Sequence, residues 1–177
     1  MKKAIINIGL ILTTILVYIL QVNFFNWFNI AGVMPNLFVI VILFIGLFGS
    51  KTMGSIYGLI IGLLLDLVIG TKVGINMVGL GLIGFLATVF DKNFSKDSRM
   101  TIMVMTVVAT AIFEVLSYLL NYVFISINVE IFNFIKILAI ELTYNLILTI
   151  ILYPLMQKFG YYIENEYKGN KILTKYF

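Results

Sequence analysis

Three carboxylates stand inside long apolar runs of this sequence: Asp66, Glu114 and Glu141. An aspartate near the middle of a membrane-embedded helix costs roughly 2.5 to 3.5 kcal/mol on insertion scales, so each of these groups is expected to face protein or water rather than lipid. Glu114 shares a helix face with Ser117, Tyr118 and Asn121, and Glu141 shares one with Tyr144 and Asn145. Two chemistries fit such a polar interior. One is a proton or cation pathway or a small-molecule pocket. The other, preferred, is a hydrogen-bond network that fixes helix register.

Bond-making chemistry has little to work with. The chain contains no cysteine and no histidine, which removes the thiolate nucleophile, the imidazole base, the disulfide framework and the ordinary zinc site. It offers no Ser-Lys pair and no glycine-rich phosphate loop between a strand and a helix. A hydrolase built on paired carboxylates would need polar loops to handle a substrate, and these are missing. No catalytic residue, cofactor or metal ligand is therefore expected.

Gly54, Gly58, Gly62, Asp66 and Gly70 recur at every fourth position of one apolar stretch. Positions four apart drift by only about 40° around an α-helix, so four glycines and a carboxylate line one side. Glycines at this spacing cut a groove that lets another helix backbone approach closely. Packing within one bundle is the expected use of the groove, with a partner-binding face as the alternative. Asp66 sits at the end of the groove, close to the break at Gly70 to Gly74. If its carboxylate only makes a structural hydrogen bond, an amide of the same size should replace it with little loss.

The elements that would position these residues are membrane helices. With 62% apolar and 11% charged residues, the inventory lies well outside that of soluble domains, and the mean hydropathy of +1.09 agrees. The 177 residues leave room for one transmembrane domain, residues 1–177, of five or six spans at roughly 20 residues each. Apolar runs place six spans at about 4–22, 35–49, 52–69, 74–90, 100–125 and 135–156. The segment Asn23 to Phe28, rich in phenylalanine and holding Trp27, reads as an interfacial loop or short surface helix. Pro35 opens the second span, where its missing N–H costs nothing. Pro154 is expected to bend or end the last helix, and the lysine-rich tail beyond Gln157 to lie along the surface.

Basic residues set the orientation, because cytoplasmic loops carry the excess of lysine and arginine. With the N-terminus inside, Lys2, Lys3, Lys51, Lys92, Lys96, Arg99, Lys158, Lys168, Lys171 and Lys175 fall on the cytoplasmic side, and only Lys72 and Lys136 fall outside. That asymmetry favours an even number of spans with both termini cytoplasmic. The net charge of +4 is thereby read as a topology signal, and nucleic-acid binding is not expected.

Pro35-Asn36-Leu37, the run from Gly54 through Gly58, Gly62 and Asp66 to Gly70, and then Gly74-Ile75-Asn76 and Gly84 resemble, in order and spacing, the rod shape-determining protein MreD family. The resemblance is carried chiefly by the first 90 residues, with Tyr144-Asn145-Leu146 and Tyr153-Pro154-Leu155 echoing the family's last span more loosely. It implies a six-span inner-membrane component of the bacterial elongation machinery that partners MreC. It also implies indirect links to MreB, RodA and the penicillin-binding synthases of lateral-wall peptidoglycan, with no catalytic activity of its own. The resemblance further implies an all-α bundle similar to the substrate-binding component of energy-coupling-factor transporters.

That last likeness supplies an alternative function, a substrate-binding subunit of a vitamin-type transporter. Such components dock through small residues of the first span, where this chain offers only Gly9 and Thr13 amid bulky neighbours. A lipid or polyprenyl-phosphate flippase would need cations inside the bundle. The expectation is a membrane scaffold for which helix packing and partner recruitment are the mechanism.

Overall fold

The structure, a computed structural model, describes residues 2–68, 73–125 and 130–169. The described residues are 86% helix, so every polar group of interest among them sits on a helix face or in a short connection. Among the described residues no strand forms, and the sole bridge pairs Ile30 with Val33 across a tight turn. In that turn Ala31 and Gly32 both take positive φ.

Helix α1 (Lys2–Ile19) runs on through a π-helical turn (Leu20–Phe24) into the short α2 (Phe25–Trp27). The segment with Trp27 is therefore a helical continuation of the first apolar run. The remaining helices are α3 (Leu37–Phe48), α4 (Met53–Val68), α5 (Ile75–Asn93), α6 (Arg99–Ile125) and α7 (Ile131–Lys168).

Helix α3 is the core. All twelve of its residues are buried, as a helix that is apolar on every side requires, and it touches α1, α4, α5, α6 and α7. The outer helices show the reverse pattern. Ile5, Ile8, Ile11, Leu12, Ile15 and Leu16 of α1 are all more than half exposed, and only Ile6, Leu10 and Val17 of that helix are buried. In water this would be a large uncovered apolar surface; in a bilayer it is the lipid-facing side.

Among the described residues four helical stretches are long and apolar enough to cross a membrane: Lys2–Trp27, Ile75–Asn93, Arg99–Phe124 and Ile131–Lys168. Helices α3 and α4 are apolar but shorter, at 12 and 16 residues. At 1.5 Å per residue α3 is about 18 Å long, against a hydrocarbon core of about 30 Å.

Two expectations for the C-terminal part are corrected. Of the two outcomes expected at Pro154, a bend or an end, the end is the one overturned, because α7 continues through it to Lys168. Neighbouring helices and local adjustment can satisfy the backbone that a membrane proline frees. The segment after Gln157, expected along the surface, is the last part of α7, and Gly160 there packs against the Phe48 ring.

Candidate functional site

Asp66 is 1% exposed and works as an external cap for α5. Its Oδ2 accepts hydrogen bonds from the backbone N–H groups of Gly74 at 2.8 Å and Met77 at 3.0 Å. Its Oδ1 accepts from the backbone N–H and the side-chain amide of Asn76, both at 2.9 Å. The first N–H groups of a helix lack intrahelical partners, and a carboxylate there satisfies them while meeting the positive end of the helix dipole. Gly74 takes φ of +120°, with open space where a Cβ would stand. Backbone conformation, rather than crowding, calls for glycine at this position. Gly70 lies outside the described residues. The idea that an amide could replace Asp66 is corrected by this geometry, because both oxygens accept two bonds each and an amide nitrogen can accept none.

Gly54, Gly58 and Gly62 form the α4 side of a backbone-to-backbone seam with α5. A Cβ on Gly58 would run into the Leu80 carbonyl, and one on Gly62 into the Asn76 carbonyl and Met77 Cα. Gly84 returns the contact against the backbone of Gly54 and Ser55, while Gly46 of α3 meets Gly54, Gly84 and Ala87. Three helices thus meet at Gly46, Gly54 and Gly84 with no side chain between two of them. Asp66 and Asn76 close the same seam at its far end. By contrast Gly9, on α1, has no neighbour within 4 Å of an added Cβ, and Thr13 merely hydrogen-bonds back to the Gly9 carbonyl at 2.8 Å.

The other two intramembrane carboxylates lie together. Glu114 on α6 and Glu141 on α7 are neighbours, and Asn36 and Asn145 stand beside Glu141. One and two turns further along, the same interface carries two more polar pairs. Asn145 Nδ2 donates to Thr110 Oγ1 at 3.0 Å, and Thr149 Oγ1 to Thr106 Oγ1 at 3.3 Å. Antiparallel packing of α6 and α7 makes three rungs from residues four apart on each helix. Asn145 and the three threonines are fully buried. Glu141 Oε1 and Ser117 Oγ are buried without a hydrogen-bond partner among the described residues.

The rungs tie this interface to Pro35-Asn36-Leu37. Asn145 Oδ1 accepts the Asn36 backbone N–H at 2.8 Å, and the Asn36 side chain caps α3 by accepting the Val39 N–H at 3.3 Å. From the other side Gln21 Nε2 donates to the Pro35 carbonyl at 2.5 Å and Gln21 Oε1 accepts from the Leu37 N–H at 3.1 Å. The start of α3 is thereby held by the π-helical turn after α1 and by Asn145 of α7, which is itself bonded to Thr110 of α6. Tyr144 donates its hydroxyl proton to the Phe28 carbonyl, so it belongs to a different contact from Asn145. Among the described residues Asn121 bonds within its helix, to the Ser117 carbonyl at 2.8 Å.

At the opposite end of α3, sequence reading missed a second polar cluster. Lys96 and Lys168 both donate to the Leu47 carbonyl, at 3.1 and 2.8 Å. Two ammonium groups thus meet the negative end of the α3 dipole. Asp91 bridges both lysines at 2.6 Å, and Glu164 pairs with Lys96 at 2.6 Å. Burial works against the Lys96 ammonium, but hydrogen bonds to Asp91 and Glu164, and their charges, outweigh it and hold its pKa above the ordinary lysine value. Close by, Lys2 pairs with Glu166 at 3.1 Å and Tyr167 donates to Asn7 at 2.6 Å. These contacts bring the start of α1 and the end of α7 to the same end of the bundle.

These features define an all-helical membrane protein whose buried polar groups cap helices and lock their interfaces. The sequence profile of the rod shape-determining protein MreD family matches residues 2–163 of the 177-residue chain. The chain belongs to the MreD family, a family of shape-determining membrane proteins. No curated protein and no solved structure matches it.

Proposed function

We propose that this chain is a non-catalytic scaffold of the bacterial wall-elongation machinery, holding MreC in the plasma membrane and through it acting with MreB, RodA and the penicillin-binding synthases. Membership in the MreD family is the observation that carries this reading. The glycine seam, the Asn36–Asn145 bond at the start of α3 and the Asp66 cap of α5 support it, since they use the motif residues to build one bundle. In this proposal Gly54, Gly58, Gly62, Asp66, Gly74 and Asn76 act by packing. Asn36, Asn145, Glu114 and Glu141 hold α3, α6 and α7 in register. The chain crosses the membrane six times, with α3 a short span sheltered by its neighbours and α4 a short span with one face packed on α5 and the other turned outward. Both termini lie in the cytoplasm, as the common end of Lys2 and Glu166 and the lysine bias suggest.

The test is copurification of MreC with a tagged copy of the chain, together with rescue of rod shape in cells depleted of their own copy. Coelution and rescue are expected. Retention of a labelled vitamin without MreC would favour the transporter-subunit alternative instead.

A further inference from the structure

A cavity of about 310 Å³ opens at the lysine-rich end of the bundle, between the α3–α4 turn, the end of α5 and the last turn of α7. Its wall carries Ser50, Lys51, Thr88, Asp91, Lys92 and Lys168. The single carboxylate of that wall is already engaged, since Asp91 binds Lys96 and Lys168. Lys51 and Lys92 are exposed and have no ion-pair partner among the described residues. Counting Lys96 and Glu164 behind the wall, four ammonium groups face two carboxylates, so the cavity has a surplus of positive charge. Thr88 spends its hydroxyl proton on the Lys51 and Gly84 carbonyls, at 3.2 Å each, which fixes the Lys51 backbone against α5.

We propose that this cavity holds the phosphate group of an anionic phospholipid, with Lys51 and Lys92 as its counter-charges. A basic recess between helices at the headgroup level is the place where such a lipid binds. Past the rim, α4 turns an apolar face outward at Ile56 and Ile60, both more than half exposed, and the chains of the lipid would lie along that outer face. The lysines sit at the rim, so the site anchors a lipid and offers it no route across. This inference stands independently of the scaffold reading.

The full chain reconstituted in nanodiscs of phosphatidylcholine doped with phosphatidylglycerol tests it, with retained lipid read by native mass spectrometry after mild detergent extraction. Wild type should retain phosphatidylglycerol in preference to phosphatidylcholine. Lys51→Gln with Lys92→Gln should weaken that retention about thirtyfold, from the loss of two lysines at the membrane surface. Lys51→Arg with Lys92→Arg should keep it, and both pairs should melt as wild type. The same charge loss placed elsewhere, Lys136→Gln with Lys158→Gln, should leave retention unchanged. An equal drop in that control would reduce the effect to diffuse surface charge and overturn the site. Stabilisation by inorganic phosphate in pure phosphatidylcholine discs, with no preference for phosphatidylglycerol, would overturn the lipid assignment in favour of a soluble anion.

Discussion

Asp66 Oδ1 receives two hydrogen bonds from one residue, the backbone N–H and the side-chain amide of Asn76, each at 2.9 Å. The pair joins the last turns of α4 to the first turn of α5, and it makes the carboxylate an acceptor in every contact it forms.

Asp66→Asn is consequently expected to behave as a damaging change, because the new NH2 group would face N–H donors on one side or the other. The loss should be about 1 to 3 kcal/mol, the cost of a buried donor left unsatisfied. Asp66→Leu should cost at least as much. Thermal unfolding of the purified protein in detergent reads both. A melting curve for Asp66→Asn that superimposes on wild type would show that the cap does not need a carboxylate.

Gly58→Ala already drives a methyl group into the Leu80 carbonyl, and should destabilise by about 1 to 3 kcal/mol through overpacking. Gly58→Leu should remove folded protein from the membrane. Gly9→Ala is the matched control, since nothing stands near its Cβ, and its better helix propensity should leave the protein unchanged or slightly more stable. Equal behaviour of Gly9→Ala and Gly58→Ala would argue that α4 and α5 can separate without loss.

The polar rungs are expected to differ among themselves. Thr106→Val removes one threonine-to-threonine bond and should cost about 0.6 kcal/mol, the usual size of such contacts between membrane helices. Asn145→Leu strands both the Asn36 N–H and Thr110, and should cost several times more. Unfolding titrations of the two variants and of their combination provide the comparison, and a larger effect for Thr106→Val would mean that the start of α3 does not depend on Asn145.

Six spans with cytoplasmic termini make a labelling prediction. A cysteine replacing Asn93 should resist an impermeant thiol reagent in intact cells, while one replacing Asn29 should react. Both residues are exposed, so access depends on the side of the membrane alone. Labelling of the Asn93→Cys protein from outside would refute this orientation.

The Lys96 cluster should matter from the pH at which Asp91 and Glu164 are ionised up to lysine ionisation. The folded pKa of Lys96 is raised above its ordinary 10.5, so the stabilisation it gives is complete below that value and disappears as pH rises through the raised one. Wild type should therefore exceed Lys96→Met in stability by a constant margin through neutral pH, and the margin should shrink above about pH 10.5. A margin that already narrows between pH 7 and pH 9 would assign the effect to another group.

Legibility in the sequence followed the range over which a residue acts. The glycine seam could be read directly, because glycines four apart have few uses other than close approach. Asp66 could be picked out as a buried polar group, but its acceptor-only role could not, since its partners come after a turn whose geometry the residue types do not set. Thr106, Thr110 and Thr149 escaped notice because a threonine can satisfy its hydroxyl on its own helix, as Thr13 and Thr143 do. Their four-residue spacing from Glu114 and Asn145 was the available signal. Lys168 looked like a solvated tail residue because its partner Asp91 is 77 positions away. Pro154 does not stop its helix for a similar reason, since packing outweighs the local rule that a proline ends one.

Helix α3 has its start fastened by Asn145 and its end by Lys168, and both fasteners belong to α7. The ribosome makes α3 well before α7, so the innermost helix enters the membrane with Gln21 at its start, and then Lys96 at its end, before either of its α7 contacts exists. A chain released before Ile131 would hold α3 against α4 and α5 through the glycine seam while leaving the start of α3 without Asn145 and its end without Lys168. Completion of the bundle is therefore a post-insertion event, and quality-control proteases have a physical mark for unfinished copies: a most apolar helix whose ends still lack their α7 contacts.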